Sequence, residues 1–229
     1  CCLVVVVVLV VHIYCKEKDQ LDWLAGVGGP DALDLKTPAF GHPPLQSMPC
    51  TPGQDFRNAL AGMQAGEERK HFKIVASLVK VDLKFAPLYY DGCGLTVEER
   101  RTCKKRLDAD GTCPSCKVQP AATDVVPVLM LNRAGFRSSD GSSFRLTAFD
   151  SVAAQLVGIS GRCAKELEEE SVKAGDSARR ATLQAIEGTF GNSFELGVTA
   201  SSILLEEGQP YLSAKIFAAS PVDAELAPI

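Results

Sequence analysis

Four cysteines, Cys93, Cys103, Cys113 and Cys116, fall within 24 residues with the spacing C-x9-C-x9-C-x2-C. Thiolate sulfur is a soft ligand, and four of them satisfy the tetrahedral preference of Zn2+, so the pattern predicts a structural zinc site. The last pair lies in GTCPSC, where Gly111 and Pro114 let two sulfurs turn toward one centre. Four protein ligands leave no coordination position open for water, so such an ion would hold structure and not activate a nucleophile. Two other readings compete: a redox pair at Cys113 and Cys116, and unligated thiols. A redox pair is activated at a helix N-terminus in a βαβ setting, whereas strand and loop sequence surrounds these residues. The first pair is wider than the common knuckle spacing of about two to four residues. Nine cysteines in 229 residues are too sparse for a disulfide scaffold and point to a reducing compartment.

Around Cys103 runs RRTCKKR, with Arg100, Arg101, Lys104, Lys105 and Arg106. A zinc ion with four thiolates carries a net charge of about −2, which nearby cations would offset. The same cations would also contact the phosphates of a nucleic acid. The chain has a formal net charge of −4, yet residues 69 to 149 hold 14 Lys and Arg against 8 Asp and Glu. One basic segment thus sits inside an acidic chain. Phe136, Phe144, Phe149, Tyr89 and Tyr90 are available to stack on bases, although most strand aromatics are core residues. The nucleic-acid candidates are Lys104, Lys105, Arg106, Arg133, Phe136, Arg145 and Phe149.

Catalysis is not expected. No P-loop, dinucleotide fingerprint or HExxH is present, and the three histidines are His12, His42 and His71. The GVGG at residues 26–29 lies in a Pro-rich stretch, and Glu168, Glu169 and Glu170 read as a solvated helix face.

The elements that must position these residues follow from periodicity. Residues 1–25 open on CCLVVVVVLVV, too short for the roughly 20 residues of a membrane span and lacking signal-peptide flanks. A Val-rich buried strand is the expectation there, with no membrane partner. The chain begins at Cys1, as expected of a fragment or a processed chain. Residues 26–54, rich in Gly and Pro, read as a linker, and His42 and Cys50 within it are assigned no role. A short helix is predicted from Asp55, its cap, toward Arg69. Alternation over Phe72, Ile74, Ala76 and Leu78 predicts a first strand. Strands are also predicted at 125–132 and 143–149, joined by a turn at Ser138–Gly141, then a helix from Asp150 that stops at Gly158. Helical sequence continues to about Glu187. Two further strands follow, around Phe194–Val198 and Leu212–Ala218, with a turn over Glu206–Gln209.

The order is strand, long insertion, strand, strand, helices, strand, strand. That order is expected of a mainly β chain, a five-stranded OB-fold barrel with helices between strands three and four. The stretches FKIVASLVKVDLKFAPLYYDGC, TCKKR, GTCPSC, FRLTAFDSVAAQLVGIS and AKIFAASPVD together resemble the zinc-containing C-terminal OB domain of the replication protein A large subunit and its telomeric and meiotic relatives. The resemblance covers about residues 55–223, with a short tail at 224–229. It implies a zinc ribbon inserted between strands one and two, with Cys93, Cys103, Cys113 and Cys116 as ligands, and single-stranded DNA contacts at Lys104, Lys105 and Phe149. It further implies non-enzymatic single-stranded DNA binding in replication, repair or recombination, in the nucleus, with other replication protein A-like subunits as partners. Val125, Val126 and Pro127 depart from the aromatic and basic opening usual for the second strand. The few residues after Asp223 leave no room for the family's trimer helix, so assembly by that route is not expected. The alternative is a protein-interaction or scaffolding domain that keeps the zinc and has lost nucleic-acid binding.

Overall fold

The computed structural model describes residues 42–64, 67, 69–81, 88–97, 101–175, 178–204 and 210–222. The apolar segment 1–25, linker residues 26–41, Arg100, the turn at Glu206–Gln209 and the tail 224–229 lie outside them.

Period-two patterning makes the strands. In β1 (Lys70–Lys80) Ile74, Ala76 and Leu78 point inward and are fully buried or nearly so. Next come β2 (Tyr89–Cys93), the two-residue β3 (Thr96–Val97) and β4 (Arg101–Thr102), then β5 (Val125–Ser138) and β6 (Ser143–Phe149). The last described elements are β7 (Ser193–Leu204) and β8 (Pro210–Pro221). One mixed six-stranded sheet has the order β1-β7-β8-β6-β5-β2, and a further pairing joins β1 to β5. The ladders therefore run from β1 through β7, β8, β6 and β5 and return to β1. All are antiparallel except β6 with β8, which meet in parallel at Thr147 and Lys215. The segment carrying the four cysteines sits between β1 and β5, with β3 and β4 as its own small hairpin.

Helices close the core. The first, α1 (Gly53–Ala61), buries Phe56 completely, edge-on to Phe72 and Phe144 at 5.1 Å each. It begins after Pro52, ahead of the expected Asp55 cap, because Asp140 in the β5–β6 turn accepts the Gln54 amide at 2.9 Å. A Cβ on Gly53 would lie 2.0 Å from the Ser138 hydroxyl, so only glycine fits this junction. Between β6 and β7 lie α2 (Asp150–Val157), α3 (Gly161–Lys173) and α4 (Ala178–Glu187). Gly158 ends α2 at φ 71, and the Ser160 side chain caps α3 by accepting the Cys163 amide. Leu156, Val157, Leu167 and Ile186 from these helices join the strand core. Among the described residues no helix is long and apolar enough to cross a membrane.

The stretch at 42–54, expected as a tether, is instead packed. Leu45 is buried within a 3-10 turn, and the His42 ring stacks on Phe217 at 4.3 Å. The Thr51 amide donates to the Lys73 carbonyl at 2.7 Å. Proline suppresses regular structure but leaves the side chains free to bury, which is why composition misread this part.

Candidate metal centre and nucleic-acid interface

The ligand atoms of Cys93, Cys103, Cys113 and Cys116 all lie within 4.8 Å of one another. The Sγ atoms of Cys93 and Cys116 are 3.8 Å apart and those of Cys103 and Cys113 3.7 Å. Four sulfurs about 2.3 Å from a central ion stand about 3.8 Å apart at tetrahedral corners, so both of these pairs have the separation of ligands on a zinc-sized ion. The backbone makes the fit by the same device twice. The amide of Lys104, next to Cys103, donates back to the Cys93 carbonyl at 2.7 Å, and that of Lys117, next to Cys116, to the Cys113 carbonyl at 2.8 Å. Both lysines take left-handed backbone, φ 55 and φ 60, which lets the chain reverse around the sulfurs. The Cys116 amide donates to the Cys113 sulfur at 3.4 Å and holds that thiol down to about 7, while burial pushes the Cys93 thiol up. The wide first pair poses no obstacle, because β3 and β4 pair with each other between Cys93 and Cys103 and shorten the path between the two sulfurs.

The second cluster forms where β5 and β6 lose register. Leu131 pairs with Ala148 and Ala134 with Leu146, so Asn132 and Arg133 together oppose Thr147. At this bulge Arg133 adopts φ 51 and its amide donates to the Thr147 hydroxyl at 3.2 Å. Left-handed backbone in a non-glycine residue costs on the order of 1–2 kcal/mol, and here it aims an exposed guanidinium outward. On β6, Arg145, Thr147 and Phe149 alternate with buried Phe144, Leu146 and Ala148 and share the outer face. Lys215 of β8 pairs with Thr147 and brings its ammonium 5.9 Å from the Phe149 ring centre. Arg133, Arg145 and Thr147 line a hollow of about 420 Å³ with Tyr211, Leu212, Ser213 and Ala214 of β8 and Leu60 of α1. Among the described residues no carboxylate lines it, and Arg133, Arg145 and Lys215 form no ion pair.

The ribbon cations are differently placed. Lys104 is paired with Asp150, the residue after Phe149, which ties the ribbon to the end of β6. The Arg106 guanidinium lies 5.0 Å from the centre of the Tyr90 ring, and the Tyr90 hydroxyl donates to the Lys104 carbonyl at 3.1 Å. Burial, with the Asp150 carboxylate behind it, pushes the Tyr90 hydroxyl up and keeps it a donor. Lys105 is exposed, its carbonyl accepting the Cys93 amide. The structure thus brings Arg133, Arg145 and Phe149 onto one face, with Lys104 beside it. Phe136 is a correction: it is fully buried opposite Phe144, turned inward with Ala134, and has no ring face to offer a base.

Sequence reasoning missed Tyr211 and Lys215. The alternation of Leu212, Ala214, Ile216 and Ala218 marks Lys215 as outward, but Ser213 is buried while Leu212 is 41% exposed. A register shift between Gly197 and Val198, which pair with Ala218 and Ile216, disturbs the period.

No known family model matches the chain, and no curated protein matches it. Solved structures do. A chain of a replication protein A heterotrimer bound to single-stranded DNA is 20% identical, with a TM-score of 0.56 over 76% of this chain and 36% of that one. This chain therefore spans about a third of that neighbour's length. Yeast replication protein A bound to single-stranded DNA is 18% identical, covering 72% and 84% with a TM-score of 0.48. A structure of fission yeast Pot1 and Tpz1 gives 12% identity, 79% and 95% coverage and a TM-score of 0.37. The resemblance carried by the sequence is met in the first of these as a likeness of fold to a replication protein A chain.

Proposed function

We propose that residues 55–223 form a five-stranded OB barrel carrying a zinc ribbon, and that it binds single-stranded DNA without catalysing a reaction. The barrel strands would be β1, β5, β6, β7 and β8, whose pairings return to their start. The carrying observation is the outer face of β5, β6 and β8, where Arg133 and Arg145 line a hollow with no carboxylate among its described lining residues, and Lys215, paired with Thr147 of that hollow, lies beside the Phe149 ring. Cations there neutralise phosphates and a half-exposed ring stacks on a base, the two contributions that bind single strands with little sequence preference. The fold likeness to a chain whose heterotrimer is bound to single-stranded DNA supports the same reading. Zinc would be structural, held by Cys93, Cys103, Cys113 and Cys116, and the setting that of nuclear DNA replication, repair or recombination.

A titration of the full chain with a labelled single-stranded oligonucleotide at two salt concentrations tests this. Affinity should fall steeply with salt and exceed that for duplex of the same sequence. Absence of binding at low salt overturns the reading and leaves a protein-interaction domain in its place. Elemental analysis should find one zinc per chain.

A further inference from the structure

Resting on that reading, we infer that the hollow between α1 and β8 is a subsite for a single unstacked nucleotide, and that helix α1 is part of the interface through Leu60. The hollow joins two kinds of surface. Its lining combines the guanidinium-bearing Arg133 and Arg145 and the hydroxyl-bearing Thr147 and Ser213 with Tyr211, Leu212, Ala214 and Leu60. Tyr211 is 45% and Leu212 41% exposed, two adjacent large apolar side chains left in water at the rim of a cationic site. A ligand that satisfies both kinds of surface has an anionic end and a flat apolar end, which is the chemistry of one nucleotide with its base turned out. Phosphate alone leaves the apolar wall wet, and a duplex keeps its bases paired away from Tyr211.

Leu60 is a rigid wall. It lies one turn beyond Phe56, which is sealed in the core, and the other end of α1 is fixed by the Asp140 carboxylate on the Gln54 amide. The Gln54 side chain also accepts from the Ser142 hydroxyl at 3.3 Å, so α1 is held to the β5–β6 turn at two points. A helix from outside the proposed barrel thereby contributes to the wall of the hollow.

The test is a cycle between protein and ligand, read by fluorescence anisotropy of the full chain with oligo-dT and with oligo-dT carrying abasic sites. Tyr211→Ala should weaken oligo-dT binding by about 5- to 150-fold, the range for loss of one base–aromatic stack, without changing the salt slope. Against abasic ligand the wild type and Tyr211→Ala should bind alike, because the base that the ring contacts is gone. Leu60→Ala should behave as a weaker version of Tyr211→Ala, and its melting curve separates lost contact from lost folding. If wild type binds oligo-dT but Tyr211→Ala matches it, the subsite is overturned while the proposed function stands. If wild type binds no single strand at low salt, the proposed function and the subsite fall together. If poly-glutamate of equal charge binds as tightly as oligo-dT and depends equally on Tyr211, the site takes acidic peptide and the nucleotide assignment is overturned.

Discussion

The ribbon and the outer face of the sheet are the two cationic regions of this molecule, and they use their charge in opposite ways. In the ribbon, Lys104, Lys105 and Arg106 are adjacent in sequence, yet Lys104 is engaged by Asp150 and Arg106 by the Tyr90 ring. On the outer face, Arg133, Arg145 and Lys215 are spread over 83 residues, yet they converge without a carboxylate among them. Charge density along a chain is therefore a poor guide to charge available for a ligand. A dense run beside a cysteine cluster is partly consumed holding the fold, whereas scattered cations brought together by strand pairing are, among the described residues, paired with no carboxylate.

The largest effect that separates the two regions concerns what holds each together. Cys113→Ser should abolish zinc retention and unfold the ribbon, since ligation free energy for such sites is on the order of 10 kcal/mol and is folding free energy. The strands of the main sheet, whose core of Ile74, Leu131, Leu146 and Leu196 lies elsewhere, should keep slow amide exchange. Simultaneous collapse of both in hydrogen-exchange measurements would show that they are one unit.

Next in size is the contrast between two phenylalanines. Phe136→Ala should cost about 3–5 kcal/mol of stability by denaturant titration, as a buried ring does. Phe149→Ala, on the outer face, should leave folding nearly intact and cost about 1–3 kcal/mol in single-strand affinity. Equal loss of stability in both would place Phe149 in the core.

Arg133→Gln with Arg145→Gln should flatten the salt dependence by about two phosphate contacts' worth. Lys104→Ala with Lys105→Ala should flatten it by about one, because Lys104 already has a counter-ion. A steeper loss from the lysine pair would return the ribbon to first place. The converse variant, Asp150→Asn, removes that counter-ion while Asn tolerates the φ of 50 at this position. Binding should tighten by less than about 1 kcal/mol, the worth of an exposed pair, with the salt slope steeper by about one charge.

The smallest effect lies with Asp140. The Ser138 hydroxyl, then the Ser142 and Gln54 amides, hold its carboxyl well below the usual carboxylate range. A group depressed on folding adds stability that is fully present above the unfolded value of about 3.9 and is lost as pH falls through the folded one. Melting temperature should therefore drop below about pH 4, and Asp140→Asn should remove part of that drop.

Much of this fold was legible because the rules involved are local. Alternation marked β1, β6 and β7, Gly158 marked the end of α2, and the turn at Ser138–Gly141 marked the β5–β6 hairpin. The four cysteines carried their own geometry, since soft ligands in that number have one common use. The extent of β5 was underread, because Arg133, Gly135 and Arg137 interrupt an apolar run that the pleat turns outward.

The sequence by itself determined the five longer strands, the helices between β6 and β7, their order and the grouping of the four cysteines, all of which follow from period, capping and ligand chemistry within short stretches. Only the tertiary structure decided which cations are free and which residues share the hollow. The register of β5 against β6, the parallel contact of Thr147 with Lys215 and the docking of α1 by Asp140 join residues tens of positions apart. Phe136 and Phe149 look alike in sequence and face opposite ways because Phe136 pairs across the strands with Phe144, in phase with the buried face, while Phe149, an odd number of residues further along β6, is out of phase with it. Pairing across strands, and not any local preference, sets that phase.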